Sequence, residues 1–212
     1  MDPGAPKFRR RKADRPMEIV GAALAVFAEK GFAAAKLDEI ARRAGISKGA
    51  LYLYFETKED IFRAVVGQMI APNMAAVKAL AAAHPGPFDQ LIRGVAAQIG
   101  FVAQTSPLGA VGKMVLSEAR NFPELARVWH DELVSQVLGA IAEAVQAAQR
   151  RGEIKPGDPR TYALQFVAPL LVGVMWRETF VPVGAQPFDL PKLMAQHVDT
   201  LLHGLMIKEP RS

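Results

Sequence analysis

Ile19, Ala22, Ala23, Val26 and Phe27 recur at three- and four-residue spacing until Gly31, and the same period returns through most of the chain. A stripe of this kind buries one face of a helix, whereas a half-buried strand would alternate apolar and polar residues. Alanine dominates many stretches and aromatics are only 8 %, which favours packed helices over strands rich in Val, Ile and Thr. An all-α fold with little or no sheet is expected. The 212 residues suffice for one domain with a full core or for two small ones. Cysteine is absent, which excludes disulfides, thiolate zinc sites and a Cys nucleophile. No stretch reaches the ~20 uninterrupted apolar residues of a membrane span, and the N-terminus lacks a signal-type apolar run. A cytoplasmic chain with no membrane partner is expected.

Formal charge is +5, and its distribution matters more than its size. Residues 1–63 hold 13 Lys+Arg against 9 Asp+Glu, while the remaining residues hold 13 against 12. The densest cluster is Lys7, Arg9, Arg10, Arg11 and Lys12, in a segment that also carries Pro3, Gly4 and Pro6. Residues 1–12 read as a basic flexible tail, either simply solvated or drawn to phosphate.

Asp14 is placed to cap a first helix with Pro16 in its first turn. A second, shorter helix carries Leu37, Ile40, Ala41 and Ala44 on one side, with Asp38 and Glu39 at its start and Gly45 just past its end. Ser47 then caps a third helix running to Phe55, and Thr57 with Asp60 opens a fourth containing Ile61, Phe62, Val65 and Met69. Pro72 predicts a kink or early end in that helix. Later punctuation includes His84-Pro85-Gly86-Pro87, Ser106-Pro107, Asn121-Phe122-Pro123, Gly152 and Gly157-Asp158-Pro159. Roughly five more helices fit between such breaks, for about nine in all.

The second and third helices, joined through Ala44-Gly45-Ile46-Ser47, have the turn length and glycine of a helix-turn-helix, whose second helix enters the DNA major groove. At ~100° per residue, Leu51 and Phe55 fall within ~40° of each other and form the buried anchor of the third helix. Leu53 points the other way. It is either an isolated surface leucine or a group that meets a thymine methyl. Gly49 lets the helix approach the groove closely, Lys48 and Tyr52 share one flank, and Tyr54 occupies the other. Lys36 and Lys58, each at a helix start, are further phosphate candidates.

The run over residues 31–62, GFAAAKLDEIARRAGISKGALYLYFETKEDIF, resembles the N-terminal DNA-binding domain of the tetracycline repressor (TetR) family. The matching elements are Gly31-Phe32, Ile40-Ala41, residues 44–49 through the turn, Leu51-Tyr52, Tyr54-Phe55, Lys58-Glu59 and Phe62. The resemblance implies a nine- or ten-helix protein with a helix-turn-helix domain at about residues 13–70, its motif at about 36–55. Residues 71–212 would form a ligand-binding and dimerisation domain. It also places Lys36, Lys48, Gly49, Ala50, Tyr52, Tyr54 and Lys58 at positions that commonly contact DNA. One departure stands out: the family usually has Thr, then Thr or Ser, where this chain has Ala35 and Lys36. A lysine can supply charge to a phosphate but cannot accept from a helix N-terminus.

In the second part, Phe101, Met114, Phe122, Trp129, Phe166, Met175 and Trp176 are either core or the lining of an effector pocket. His130, Asp131 and Glu132 are adjacent on a helix and point different ways, which suits a solvated face rather than a metal site. No P-loop, dinucleotide glycine motif, nucleophile elbow or paired-histidine motif is present. Neither catalytic residues, a metal nor a cofactor is expected. Residues 158–180 and 190–206 are apolar on several sides, and the family resemblance makes them a homodimer interface. The expected protein is a sequence-specific regulator, a repressor released from a palindromic operator on double-stranded DNA by a small apolar or amphipathic effector. Other readings are an activator or effector-free regulator, a non-specific DNA binder, and a cytosolic helical enzyme or carrier.

Overall fold

The computed structural model describes the backbone of residues 7–70 and 86–207, and the side chains within 15–68 and 86–207. Residues 1–6 of the basic tail, Pro72 and the His84-Pro85 break lie outside it. The described chain is helical, and its one strand-like feature is an isolated antiparallel bridge between Ile154 and Met206. Its helices are α1 (Lys7–Ala34), α2 (Leu37–Arg43), α3 (Lys48–Tyr52), α4 (Lys58–Val65), α5 (Phe88–Thr105), α6 (Leu108–Glu118), α7 (Pro123–Trp129), α8 (Ser135–Arg150), α9 (Pro159–Thr179) and α10 (Leu190–Leu205). Single π-helical turns follow α4 at Val66–Ile70 and α7 at His130–Val134.

The chain divides into two compact units, Met1–Ala71 with Ala110–Trp129, and Pro72–Gly109 with His130–Ser212. Ala110–Trp129 thus groups with the N-terminal residues, although the family resemblance assigns it to the C-terminal domain.

In the first unit, Phe27, Phe32 and Phe62 are fully buried, with ring centroids 5.4 to 6.1 Å apart, and Phe122 adds an edge contact 5.1 Å from Phe32. Burying one such ring is worth roughly 1.5–3 kcal/mol, and each aromatic contact adds about 0.5–1.5 kcal/mol. Ile19, Val20, Ala23 and Val26 of α1, Ile40 and Ala41 of α2, Leu51 of α3 and Ile61 and Val65 of α4 complete the core of the helix-turn-helix part. The helical period of α1 therefore reads out as packing. Its start does not match the sequence expectation: α1 begins at Lys7, so Asp14 is not its cap and Pro16 lies inside it. Lys, Arg and Ala before Pro16 are good helix formers and carry the helix backwards. Gly31 ends regular helix geometry with φ 78° and ψ 171°, a region open essentially to glycine.

The second unit packs α5 against α10 and α10 against α9, with Phe88 and Phe166 6.0 Å apart in its core. Gly100 permits the first of these approaches, since a Cβ there would stand 3.1 Å from the Pro191 Cα. Asp158 and Asp189 cap α9 and α10, each accepting from N–H groups of the first turn, and both helices match the sequence expectation closely. By length and composition, Pro159–Val183 is long and apolar enough to cross a membrane.

Candidate nucleic-acid interface

The helix-turn-helix is built around two glycine-dependent or capped turns. Gly45 has φ 68°, and its N–H donates to the Arg42 oxygen while the Ile46 N–H reaches back to Ala41 at 3.0 Å. This closes α2 in the manner of a left-handed helix cap. Ser47 Oγ then accepts the Ala50 N–H at 3.2 Å and starts α3. α3 is shorter than expected: regular helix ends at Tyr52, and Leu53 and Tyr54 continue as a tight turn with N–H groups donating to Ala50 and Leu51. Thr57 and Asp60 form a reciprocal capping box that opens α4, as their spacing predicts.

Leu51 is fully buried and anchors α3, whereas Leu53 is 83 % exposed and Tyr52 46 %. Lys36, Lys48 and Gly49 are also exposed, Ala50 and Tyr54 are half-buried, and nothing stands within 4 Å of where a Gly49 Cβ would sit. The structure thus gives α3 an open, aromatic and apolar outer surface with a cation at its start. The Lys48 ammonium lies 3.0 Å from Asp38 of α2, which holds its pKa above the usual lysine value. Both groups are exposed, so the pair is weak and a phosphate can compete for the ammonium.

Lys36 caps α2 by position only; its side chain makes no cap hydrogen bond, in line with the missing hydroxyl. Lys58 is half-buried and already engaged. Its ammonium donates to the carbonyl oxygens of Phe32, Ala33 and Ala35 at 2.5, 3.3 and 3.1 Å and lies 4.4 Å from the centre of the Phe32 ring. Burial pushes its pKa down, against the opposing pull of Glu59 and Glu118.

Two charged groups that frame this region escape a reading of the sequence. Arg43 makes a two-pronged pair with Glu29 of α1 and also reaches Glu39, while Lys30 meets Glu39 at 2.7 Å, tying α1 to α2. Glu118, at the end of α6, accepts the Phe32 and Ala33 N–H groups at 2.8 and 2.7 Å. An arginine in the last turn of α2 is a visible signal for the first. No local signal marks the second.

The proposed pocket residues fall into both units. Met114, Phe122 and Trp129 belong to the first, where Met114 is buried, Phe122 meets Phe32, and Trp129 stands over Gly112. Phe101, Phe166, Met175 and Trp176 belong to the second. Phe166 is core, Met175 packs on the Ala103, Val174 and Leu190 cluster, and Trp176 stacks near Phe180 and Phe188 while donating to the Gln186 oxygen. Phe101 is exposed and lines an open groove of about 600 Å³ between α5 and α10, with Arg93, Ala97, Pro191 and Lys192 among its neighbours. His130 is exposed and pairs with its neighbour Asp131 at 2.7 Å. Among the described residues no cluster of His, Asp or Glu could hold a metal ion.

Comparison with known proteins agrees with this architecture. Residues 19–65 match the family described as bacterial regulatory proteins, tetR family, and residues 89–203 match the C-terminal domain of AefR-like transcriptional repressors. The chain is 28 % identical over 206 residues to the HTH-type transcriptional repressor BepR of Brucella suis, covering 93 % of this chain and 96 % of BepR. In fold it is similar to a TetR-family regulator of Mesorhizobium loti, with a TM-score of 0.76 at 24 % identity over 93 % of this chain and 99 % of the other. It is likewise similar to FadR of Bacillus subtilis solved with stearoyl-CoA, with a TM-score of 0.73 at 22 % identity over 89 % and 98 %. Helix-turn-helix geometry, an exposed α3 face and two matched family domains converge: the chain belongs to the TetR family and is a DNA-binding transcriptional regulator.

Proposed function

We propose that the protein is a cytoplasmic homodimeric repressor that sets two α3 faces on the half-sites of a palindromic operator and is released by a small apolar or amphipathic effector. The observation that carries this reading is the outer surface of α3, where Tyr52 and the 83 % exposed Leu53 stand beside Lys48 and Gly49. In it, Leu53 meets a thymine methyl, Tyr52, Tyr54 and Ala50 meet base edges or sugar, and Lys36 and Lys48 meet phosphates. Lys58 contributes by holding the turn before α2 in place for those contacts.

Dimerisation through α9 and α10 is supported by what α9 leaves uncovered. Leu164, Leu171 and Val172 are exposed, Val172 at 66 %, although α9 buries Ala163, Phe166, Gly173 and Val174 on its other side. Residues 164, 168, 171 and 172 fall within about 100° of one another around the helix, so a second copy would cover a continuous apolar strip. A two-fold dimer of this kind presents its recognition helices about 34–36 Å apart, or at a multiple of that spacing.

An apolar effector is supported by the aromatic and sulfur-bearing residues of the C-terminal part, and by the amphipathic ligand held by one fold neighbour, FadR with stearoyl-CoA. Of the candidate lining residues, Phe101, Phe166, Met175 and Trp176 lie in the second unit. Reversing occupancy from 99:1 bound to 1:99 requires about 5.5 kcal/mol of differential affinity. Selection from a random duplex library at near-physiological salt, with light scattering on the same sample, tests the reading. A two-fold symmetric enriched site and a dimer are the expected results; no enrichment from a folded dimer removes it.

A further inference from the structure

We infer that Glu118 is a positioning residue for operator binding, acting through the Gly31–Ala35 turn to fix the direction in which α2 and α3 leave α1. The inference rests on the DNA-binding reading above and adds to it the group that aims the motif.

After Gly31 turns the chain out of the helix, the Phe32 and Ala33 N–H groups donate to the Glu118 carboxylate at 2.8 and 2.7 Å. The carbonyls of the same two residues, and that of Ala35, are held by the Lys58 ammonium. An anion on one side and a cation on the other therefore hold the N–H and the C=O groups of two successive residues. Charge-assisted bonds of this kind are roughly twice as strong as neutral ones. A Cβ at Gly31 would come within 2.5 Å of the Glu118 Oε1, so the carboxylate occupies space that only glycine leaves free.

The turn leads directly into α2. Lys36 starts that helix with no side-chain cap, its carbonyl alone receiving the Glu39 and Ile40 N–H groups at 3.1 Å. No side chain stabilises this start, and the two-charge grip on the preceding residues fixes it instead. α2 in turn carries α3 through the Gly45 turn. The segment that bears Glu118 is itself anchored in the first unit, by Phe122 on Phe32 at 5.1 Å and by Glu124 to Arg63 at 2.7 Å.

Simple electrostatics and positioning predict opposite signs. Removing a carboxylate makes the protein more positive and should tighten binding to any duplex. Loss of positioning should weaken binding to the operator alone. The test compares the full chain with Glu118→Gln and Glu118→Ala on the selected operator and on a scrambled duplex of equal length at one salt concentration. Amide exchange at Phe32 and Ala33 is followed in parallel.

Glu118→Ala is expected to lose about tenfold in operator affinity, a change of about 1.4 kcal/mol, with scrambled-duplex affinity unchanged or slightly raised. Glu118→Gln, which keeps one acceptor oxygen, should fall between. Both amides should be protected in the wild type and lose protection in the variants, while the Leu51 and Phe55 amides do not change. If Glu118→Ala does not fold, the Gln variant and the wild-type amides decide. Operator affinity unchanged or raised in the variants, or fast wild-type exchange at both amides, overturns the inference while leaving the DNA-binding reading intact. A wild type that does not prefer the operator overturns that reading and this inference together.

Discussion

The Lys58 ammonium lies 2.5 Å from the Phe32 carbonyl oxygen and 4.4 Å from the centre of the Phe32 ring, so one charge serves both the backbone and the face of a single buried residue. Lys58→Met keeps the aliphatic stem and removes the charge. A loss of about 1–2 kcal/mol is expected, from hydrogen bonds to a charged group and a cation–π contact that are both partly solvated. Urea unfolding measures it directly, and an unchanged midpoint would show that water replaces the ammonium at no cost.

Gly31 and Gly45 both have positive φ, yet only one of them is crowded. Gly31→Ala must place a Cβ against Glu118 in a backbone region that alanine rarely occupies, and about 1–3 kcal/mol of destabilisation is expected. Nothing stands within 4 Å of a Cβ at Gly45, whose φ of 68° asparagine tolerates. Gly45→Asn should therefore cost well under half as much, and equal losses in thermal melts would contradict the distinction.

Ser47→Ala removes the side-chain cap of a five-residue helix. Its cost should be close to ~1 kcal/mol of stability, accompanied by weaker operator binding because α3 frays at the end that carries Lys48. Thr57→Ala, which breaks the capping box of α4, should lose comparable stability with a smaller effect on DNA affinity. Denaturant titration and operator titration on the same preparations separate the two outcomes.

Acid should weaken the fold through carboxylates that are better ionised in the native state. The Arg43 guanidinium holds the Glu29 carboxyl below its ordinary value of 4.5, the Lys30 ammonium does the same for Glu39, and Thr161 holds Asp158 below 3.8. Folded pKa values below unfolded ones give stability that is complete above about pH 4.5 and is lost as pH falls through the folded values. Urea midpoints should be flat from neutrality to about pH 5 and fall below it, with a shallower fall in Glu29→Gln and Glu39→Gln. A midpoint that rises on acidification would contradict these pairings.

Local features of the sequence carry much of the architecture. The Thr57 and Asp60 spacing, the Ser47 cap and the opposed directions of Leu51 and Leu53 are all set within a few residues, and the structure shows each of them. Contacts between distant residues are not legible in this way. Glu118 is 86 residues from Phe32, and nothing near Glu118 in sequence distinguishes it from a solvated helix end. Lys58, in the first turn of a helix, reads as a phosphate candidate, and its contacts with the Phe32, Ala33 and Ala35 carbonyls, 23 to 26 residues away, are not legible locally. At the start of α1, Pro16 is a strong local signal for a first turn, yet the helix runs back through it to Lys7.

The most direct test of the recognition surface is the affinity of Tyr52→Ala for the selected operator and for a scrambled duplex, measured at one salt concentration beside the wild type. A base-reading α3 face predicts that operator affinity falls by about tenfold or more, scrambled-duplex affinity barely changes, and the melting temperature and dimer are retained. An undiminished preference for the operator in a folded Tyr52→Ala dimer would contradict the assignment of this face to DNA.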